Sequence, residues 1–386
     1  MLVILALAGM SACTNQDDIY KQWVHPAGLD YPEKSNHLAA YSGHNRIKLT
    51  WAYPKDPSVV SAKIFWENRL KSMALNYADY AGQDSVSVII DNLDERSYSF
   101  EIENYDASGN VSMVTALSAL PYAEVWLSNH AEREIKSAEI TTGSAATIKT
   151  GFGTNEMMAT KFRYVNTAGD TVELAEQLDP NTASITFPDA VSGKRFEYCS
   201  GYCPAQGLDT LWNTWRKSPT PIAGKLNAKG FSVVATEGTA YGSYTPNKIF
   251  DGVRNNLSYM WWARYGNFPK ILAIDTGKDT YMFNKFILWQ SETVGGYNYR
   301  TNNNVSIYFG NEPFDPNAGA GYATTAPFAN ALLTKSTVFW NGTTNWTGTI
   351  PEYVNARYIA IVFANSRRNG NALFEVELFG YDNAPE

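Results

Sequence analysis

Apolar and polar residues alternate with a period of two in segment after segment of this chain, the spacing of strands that bury one face. "RIKLTWAYP" (46–54) puts Ile47, Leu49 and Trp51 in one phase and Lys48 and Thr50 in the other. "SAKIFWEN" (61–68) does the same, with Trp66 in its apolar phase. In "SVSVIIDNLDERSYSFEIENYDASGNVS" (85–112), one strand is followed by Leu93 and then by a second with Tyr98, Phe100 and Ile102 in phase. The "DASGN" stretch carries the Asp, Gly and Asn that supply the positive φ angles of a hairpin. A weaker copy of this order of signals runs over 122–217. "AEVWLSN" (123–129) opens it, "KFRYVN" (161–166) precedes a "TAGDT" turn, and "SITFPDAVSGKRFEYCSGY" (184–202) repeats the two-strand stretch. "KSPTPIAGK" (217–225), with two prolines and a glycine, predicts a linker. Beyond it strands are expected at 230–238, 270–277, 283–291, 304–311, 336–342, 356–365 and 373–381. No long amphipathic helix is written into the chain, so the pattern predicts an all-β protein of more than one domain.

Composition sharpens this picture in two places. The net charge is −7, from 31 basic and 38 acidic side chains, and no basic run interrupts the balance. A nucleic-acid partner, whose phosphates must be neutralised, is therefore not expected. Aromatic residues make up 14%, and half of the 24 tyrosines lie beyond residue 225. Tyr suits strands, and it also suits recognition surfaces, since one ring offers an apolar face and a hydroxyl.

The three cysteines do not form a disulfide framework. Cys13 closes the apolar run 2–13, too short to span a bilayer but fitting the core of a signal peptide. Ser11 and Ala12 before Cys13 resemble a lipobox, which implies cleavage and acylation of Cys13. The following "TNQDD" resembles the acidic export tag of surface lipoproteins in gut-type Gram-negative bacteria. On that resemblance residues 1–13 are a lipoprotein signal peptide and 14–37 a tether. The chain would then be lipid-anchored to the outer membrane, facing the cell exterior. The plainer alternative is a frayed hydrophobic N-terminus. Cys199 and Cys203 are spaced too loosely for a redox pair, which leaves a local disulfide or two free thiols.

Two family resemblances give the domains their expected folds. The corner-like Tyr98-x-Phe100-x-Ile102 stretch and its hairpin resemble fibronectin type III sandwiches, implying one such domain at 38–121 and a second at 122–217. Both are expected to be spacers, with their strand-centre tryptophans as core plugs. "NKIFDGVRNNLSYMWWARYGNFPKILAIDTG" (247–277) and "ARYIAIVFANSRRNGNALFEVELFGY" (356–381) resemble the two ends of discoidin, or coagulation-factor type C, domains. This resemblance covers 222–386 and implies a galactose-binding-like, eight-stranded jelly roll with its ligands on loops at one end. The expected fold class is therefore all-β: tandem immunoglobulin- or fibronectin type III-like β-sandwiches followed by a discoidin-like jelly-roll β-sandwich.

The same resemblance nominates the site. Asp251 and Glu375 match residues that help hold a structural calcium, with Asn256 and Ser258 placed to contribute; alternatively Asp251 caps its turn and Glu375 pairs with a nearby donor. Arg300, in the 296–304 loop, matches an arginine of galactose-type sugar binders, and its fork suits vicinal hydroxyls. Tyr297, Tyr299 and Tyr265 are candidate stacking faces, and Arg367, Arg368 and Asn369 candidate donors. One of Trp261 and Trp262 must face the core, because successive strand side chains point oppositely. Trp346 reads as an exposed aromatic without a role.

Catalysis is not indicated. The four histidines, His25, His37, His44 and His130, all precede this module, and no hydrolase, P-loop or dinucleotide fingerprint occurs. The expectation is a non-catalytic carbohydrate-binding lipoprotein that needs no cofactor beyond a structural Ca2+. Its partners would be a glycan or polysaccharide and an outer-membrane transport protein. The alternative is adhesion, or a structural subunit of an outer-membrane complex, with a protein or a lipid headgroup as ligand.

Overall fold

In the computed structural model the residues described are 31–235, 243–254, 256, 258–263, 270–289, 305–312, 345–363 and 371–384. Cys13 lies outside them. Strands predominate, as the alternation predicts. Among the described residues helix is limited to α1, Glu124–Ser128, and to 3-10 turns at Tyr77–Tyr80 and Pro246–Phe250. The chain gathers into two compact units, one reaching Ala131 and including Tyr202–Leu211, the other made of Glu132–Gly201 and the residues from Trp212 onward.

The first unit holds β1 (Ala39–Gly43), β2 (Arg46–Ala52), β3 (Val59–Trp66), β4 (Lys71–Asn76), β5 (Ser85–Asp91), β6 (Tyr98–Asp106) and β7 (Thr115–Ala119). They form sheets in the orders β1-β2-β5 and β4-β3-β6-β7. One phase of each central strand fills a common core: Ile47, Leu49 and Trp51 meet Ile64, Val88, Phe100 and Ile102. Tyr98 is buried, and its hydroxyl accepts the Asp94 N–H at 3.0 Å, fixing the corner between β5 and β6. The expected strand-like opening at 123–129 is instead α1. Its cause is remote: the Glu95 carboxylate accepts the N–H groups of Val125 and Trp126 at 2.9 and 2.6 Å, satisfying donors that the first helical turn leaves orphaned.

The second unit begins with β8 (Ile135–Thr142), β9 (Ala145–Thr150), β10 (Met157–Val165), β11 (Thr171–Glu173), β12 (Ser184–Phe187), β13 (Glu197–Tyr202), β14 (Leu211–Trp212) and β15 (Arg216–Lys217), apart from Tyr202 and Leu211, the terminal residues of β13 and β14 that fall in the first. The sheets run β12-β9-β8 and β11-β10-β13-β14, with β15 also on β13. Their core is aromatic, with Tyr164 and Phe187 stacked at 4.5 Å and Phe196 edge-on to Phe187 at 5.3 Å. Arg133 is buried beside it and donates to the carbonyls of Gly151, Asp179 and Pro180 at 2.9, 3.0 and 3.1 Å, and to that of Thr182. Of the two outcomes left open for Cys199 and Cys203, the structure has free thiols rather than a disulfide. Cys199 lies on β13 and Cys203 just past its end, and four residues of extended chain separate their Cα atoms by about 13 Å, roughly twice what a disulfide bridges.

The unit continues with β16 (Gly224–Lys225), β17 (Ser232–Ala235), β18 (Trp261–Ala263), β19 (Lys270–Asp275) and β20 (Tyr281–Trp289). After these come β21 (Val305–Gly310), β22 (Asn345–Asn355), β23 (Tyr358–Phe363), β24 (Asn371–Leu373) and β25 (Glu375–Asp382). Two four-stranded antiparallel sheets, β16-β25-β20-β22 and β17-β19-β23-β21, sandwich one core, and β18 and β24 form a separate ribbon. The strand expected at 336–342 lies outside the described residues. Trp261 is the core member of its pair, while Trp262 packs edge-on against Tyr244 at 5.6 Å. Trp346 is not exposed: it sits on β22, in the core, edge-on to Phe286 at 4.9 Å. Phe286 in turn occupies the space above Gly348, where any Cβ would overlap its ring.

β25 crosses β20 at a register shift between Phe283 and Lys285, and there Gly380 lies so close that a Cβ would run into the Met282 carbonyl oxygen. The backbone cannot yield without breaking the ladder that joins the two central strands. Gly380→Ala is therefore expected to destabilise the protein by at least about 2 kcal/mol, visible as a lower denaturant midpoint.

Candidate functional site

Strand register decides which loops can share a rim. In one sheet, Phe363 at the end of β23 pairs with both Lys270, the start of β19, and Val305, the start of β21. In the other, Trp289 at the end of β20 pairs with Glu375, the start of β25. The ribbon closes the same way, Ala263 opposite Asn371. The buried Lys270 ammonium donates to the Ala263 carbonyl at 2.8 Å, and the Phe374 N–H to the Trp289 carbonyl at 2.9 Å. Ring contact between Trp261 and Phe363 at 5.6 Å completes the junction. All these termini lie at one end of the sandwich, and segments 264–269, 290–304 and 364–370 depart from it and return to it.

Those segments carry the sequence-nominated side chains. Tyr265 is on the first, Tyr297, Tyr299 and Arg300 on the second, and Arg367, Arg368 and Asn369 on the third. All seven lie outside the described residues.

Asp251 and Glu375 are described, and they form the floor beside this end. Asp251 follows the Pro246–Phe250 turn, is exposed, and accepts the Val253 N–H at 2.9 Å. Glu375 is buried and accepts the Gly252 N–H at 3.0 Å. Burial lifts its carboxyl from 4.5 to about 7; the Gly252 N–H and Lys225 oppose that rise, while the charges of Asp251 and Glu377 add to it. Glu377, two residues on and also buried, behaves oppositely. Burial pushes it up as well, but Lys225 at 2.7 Å and Arg254 hold it below its ordinary value. Arg254 then stacks on Trp289 at 3.8 Å. Sequence reasoning missed Lys225, Arg254 and Glu377, because their only signal is a fold that brings residues more than a hundred positions apart together.

Asp251 and Glu375 offer oxygen of the kind a hard cation takes. A divalent ion bound through oxygen would relieve the repulsion that Asp251 adds to the buried Glu375 carboxyl. Among the described residues no cluster of three or more His, Cys, Asp or Glu is set to hold a metal. The Ser258 carbonyl is taken by the Lys248 ammonium, and the Asn256 side chain caps the Ser258 N–H at 3.1 Å. Asp251 and Glu375 do what the alternative reading has them do: Asp251 caps its own turn at the Val253 N–H, and Glu375 pairs with the Gly252 N–H.

A family model described as a domain of unknown function, DUF4998, matches residues 13–211. No curated protein matches the chain. Several solved structures do. The family 32 carbohydrate-binding module of Clostridium perfringens NanJ, in complex with galactose, is 14% identical and covers 41% of this chain and 99% of its own, with a TM-score of 0.31. The family 32 module of Streptococcus pneumoniae EndoD is 11% identical over 39% of this chain and 97% of its own, at a TM-score of 0.30. A fucolectin from striped bass (Morone saxatilis) serum is 11% identical over 75% of this chain and 84% of its own, at a TM-score of 0.32.

The state of Glu375 has a measurable sign. Its folded value of about 7 lies above the ordinary 4.5, so the folded chain holds the proton more tightly. The stability this contributes is whole below the ordinary value and is lost as pH rises through about 7. Glu375→Gln removes that loss. Against this variant the native protein is expected to lose on the order of 2 kcal/mol between about pH 5 and about pH 8, read from paired denaturant melts.

Proposed function

This chain belongs to the DUF4998 family, a domain family of unknown function, and we propose that it is a non-catalytic glycan-binding protein of the cell surface. In this proposal the C-terminal module captures the glycan with Arg300, flanked by Tyr265, Tyr297 and Tyr299, and with Arg367, Arg368 and Asn369. Acylated Cys13 anchors the chain to the outer membrane, facing outward, beside a transport protein that takes up the captured polysaccharide. The fibronectin type III-like region nearer the anchor is a spacer. Asp251 and Glu375 hold a structural calcium that steadies the floor beneath the loops.

The observation that carries this reading is the register at one end of the sandwich. Three segments with the nominated tyrosines and arginines spring from strand termini joined through Phe363, Trp289 and the Lys270–Ala263 bond. A planar guanidinium among tyrosine faces suits a sugar, which offers paired hydroxyls on its edge and C–H groups on its face. Such sites are shallow and wet, so weak affinity is expected.

Two experiments test it. On a glycan array the full chain should bind at least one carbohydrate, with Arg300→Ala weakening that binding about tenfold or more at an unchanged melting temperature. Absence of signal on every glycan would favour adhesion to protein or lipid instead. For the floor, millimolar Ca2+ should raise the melting temperature at neutral pH by a few degrees, and Asp251→Asn should abolish the rise. An equal response in that variant would reject the calcium assignment.

A further inference from the structure

The solvent face of the β11-β10-β13 sheet carries a concentration of charge opposite to that of the whole chain. A cavity of about 560 Å³ opens there, lined by Arg163, Lys194, Arg195 and Lys217 against the single carboxylate of Glu197. Glu173, opposite Arg163 in the β10–β11 register, is exposed beside it. Lys217 has an interaction partner of its own, and the other three cations are only partly compensated. Arg163 pairs with Glu197 at 2.5 Å. Arg195 is oriented by neutral acceptors, the carbonyls of Ser218 at 2.7 Å and of Pro219 and the Asn383 side chain at 3.1 Å, which fix its fork without cancelling its charge. Lys194 is exposed and has no ion pair among the described residues.

Next to this cavity lie two half-buried tryptophans outside the core. Trp215 has the Arg163 guanidinium over its ring at 4.5 Å, and Trp212 has the Lys161 ammonium over its ring at 4.1 Å. Lys161 and Arg163 are two apart on β10, so both point to the same face, and the stacks repeat along the strand at about 7 Å. A charged cavity therefore continues into two aromatic platforms, each with a cation attached. The platforms suit sugar faces and the cations suit acidic substituents on those sugars.

We propose that this sheet face is a second binding site, specific for an acidic glycan bearing carboxylate or sulfate groups, and separate from the loops of the C-terminal module. A glycan fits better than a nucleic acid, since duplex phosphates follow one another every 1.7 Å or so and would meet the field of a chain of net charge −7. An acidic polysaccharide spaces its charges by whole sugar units and can answer a small patch.

Affinity electrophoresis of the full chain tests this, in native gels containing polygalacturonate, dextran sulfate, unsubstituted dextran or oligo-dT. The acidic polysaccharides should retard the protein and dextran should not; which of the two retards more identifies carboxylate or sulfate as the recognised group. Retardation should fall about tenfold between about 50 and about 500 mM NaCl. Lys194→Glu with Lys217→Glu should weaken it at least about tenfold, and both side chains are exposed, so the melting temperature should hold. Trp215→Ala should weaken it several-fold at constant salt, which simple charge attraction would not produce. Arg300→Ala should leave it unchanged, so this site stands or falls apart from the module's loops. Equal retardation by dextran, strongest retardation by oligo-dT, or indifference to the lysine reversals would overturn the proposal.

Discussion

The row of pairings Lys270–Phe363–Val305 is the constraint on which the rest of the C-terminal module depends. A strand's side chains alternate faces, so a slip of one residue would turn Ile271 and Val362 inward and expel Leu272, Ile361 and Phe363 from the core. The hydrophobic phase thus fixes where each strand stops, and where the strands stop decides which connections meet. That these strand ends lie together is a by-product of burying Phe363 and its neighbours. Gly380 and Gly348 serve the same end, by letting β25 and the Phe286 ring come closer than a Cβ would allow.

Electrostatics in the second unit is organised by contrast between neighbours. Glu375 and Glu377 share a face of β25 and comparable burial, yet one is driven towards neutrality and the other held charged. The difference is the number of cations within reach: Lys225 and Arg254 converge on Glu377, while Glu375 receives mainly a backbone N–H. On the β10 face the imbalance runs the other way, with cations in excess and aromatic rings sharing them. A chain of modest net charge can in this manner hold two local fields of opposite sign, because dehydration and distance decide what each group feels.

Much of this could be read from residue order alone, and the exceptions have common causes. Ile47, Leu49 and Trp51 occupy the core as their phase predicts, and one of Trp261 and Trp262 faces inward by the same rule, which leaves open that it is Trp261. The α1 segment misleads because its stabilising carboxylate, Glu95, stands about thirty residues earlier. Trp346 misleads because its flanking Asn, Thr and Gly resemble a loop, while its burial depends on Phe286. The tryptophans of "WNTW" are silent in sequence for the same reason: the cations that cover Trp212 and Trp215 come from β10, about fifty residues away. Period-two patterning reports what a strand does with its own faces. It does not report which distant side chain will finish the job.

The Arg133 arrangement has a further implication. Its guanidinium keeps its proton at any pH a protein meets, and the carbonyls of Gly151, Asp179 and Pro180 that it donates to do not titrate. These bonds between the end of β9 and the 179–182 turn therefore do not respond to acidity, unlike the carboxylate-based links around them. If the surroundings turn sour, these bonds should be among the last in the sandwich to notice.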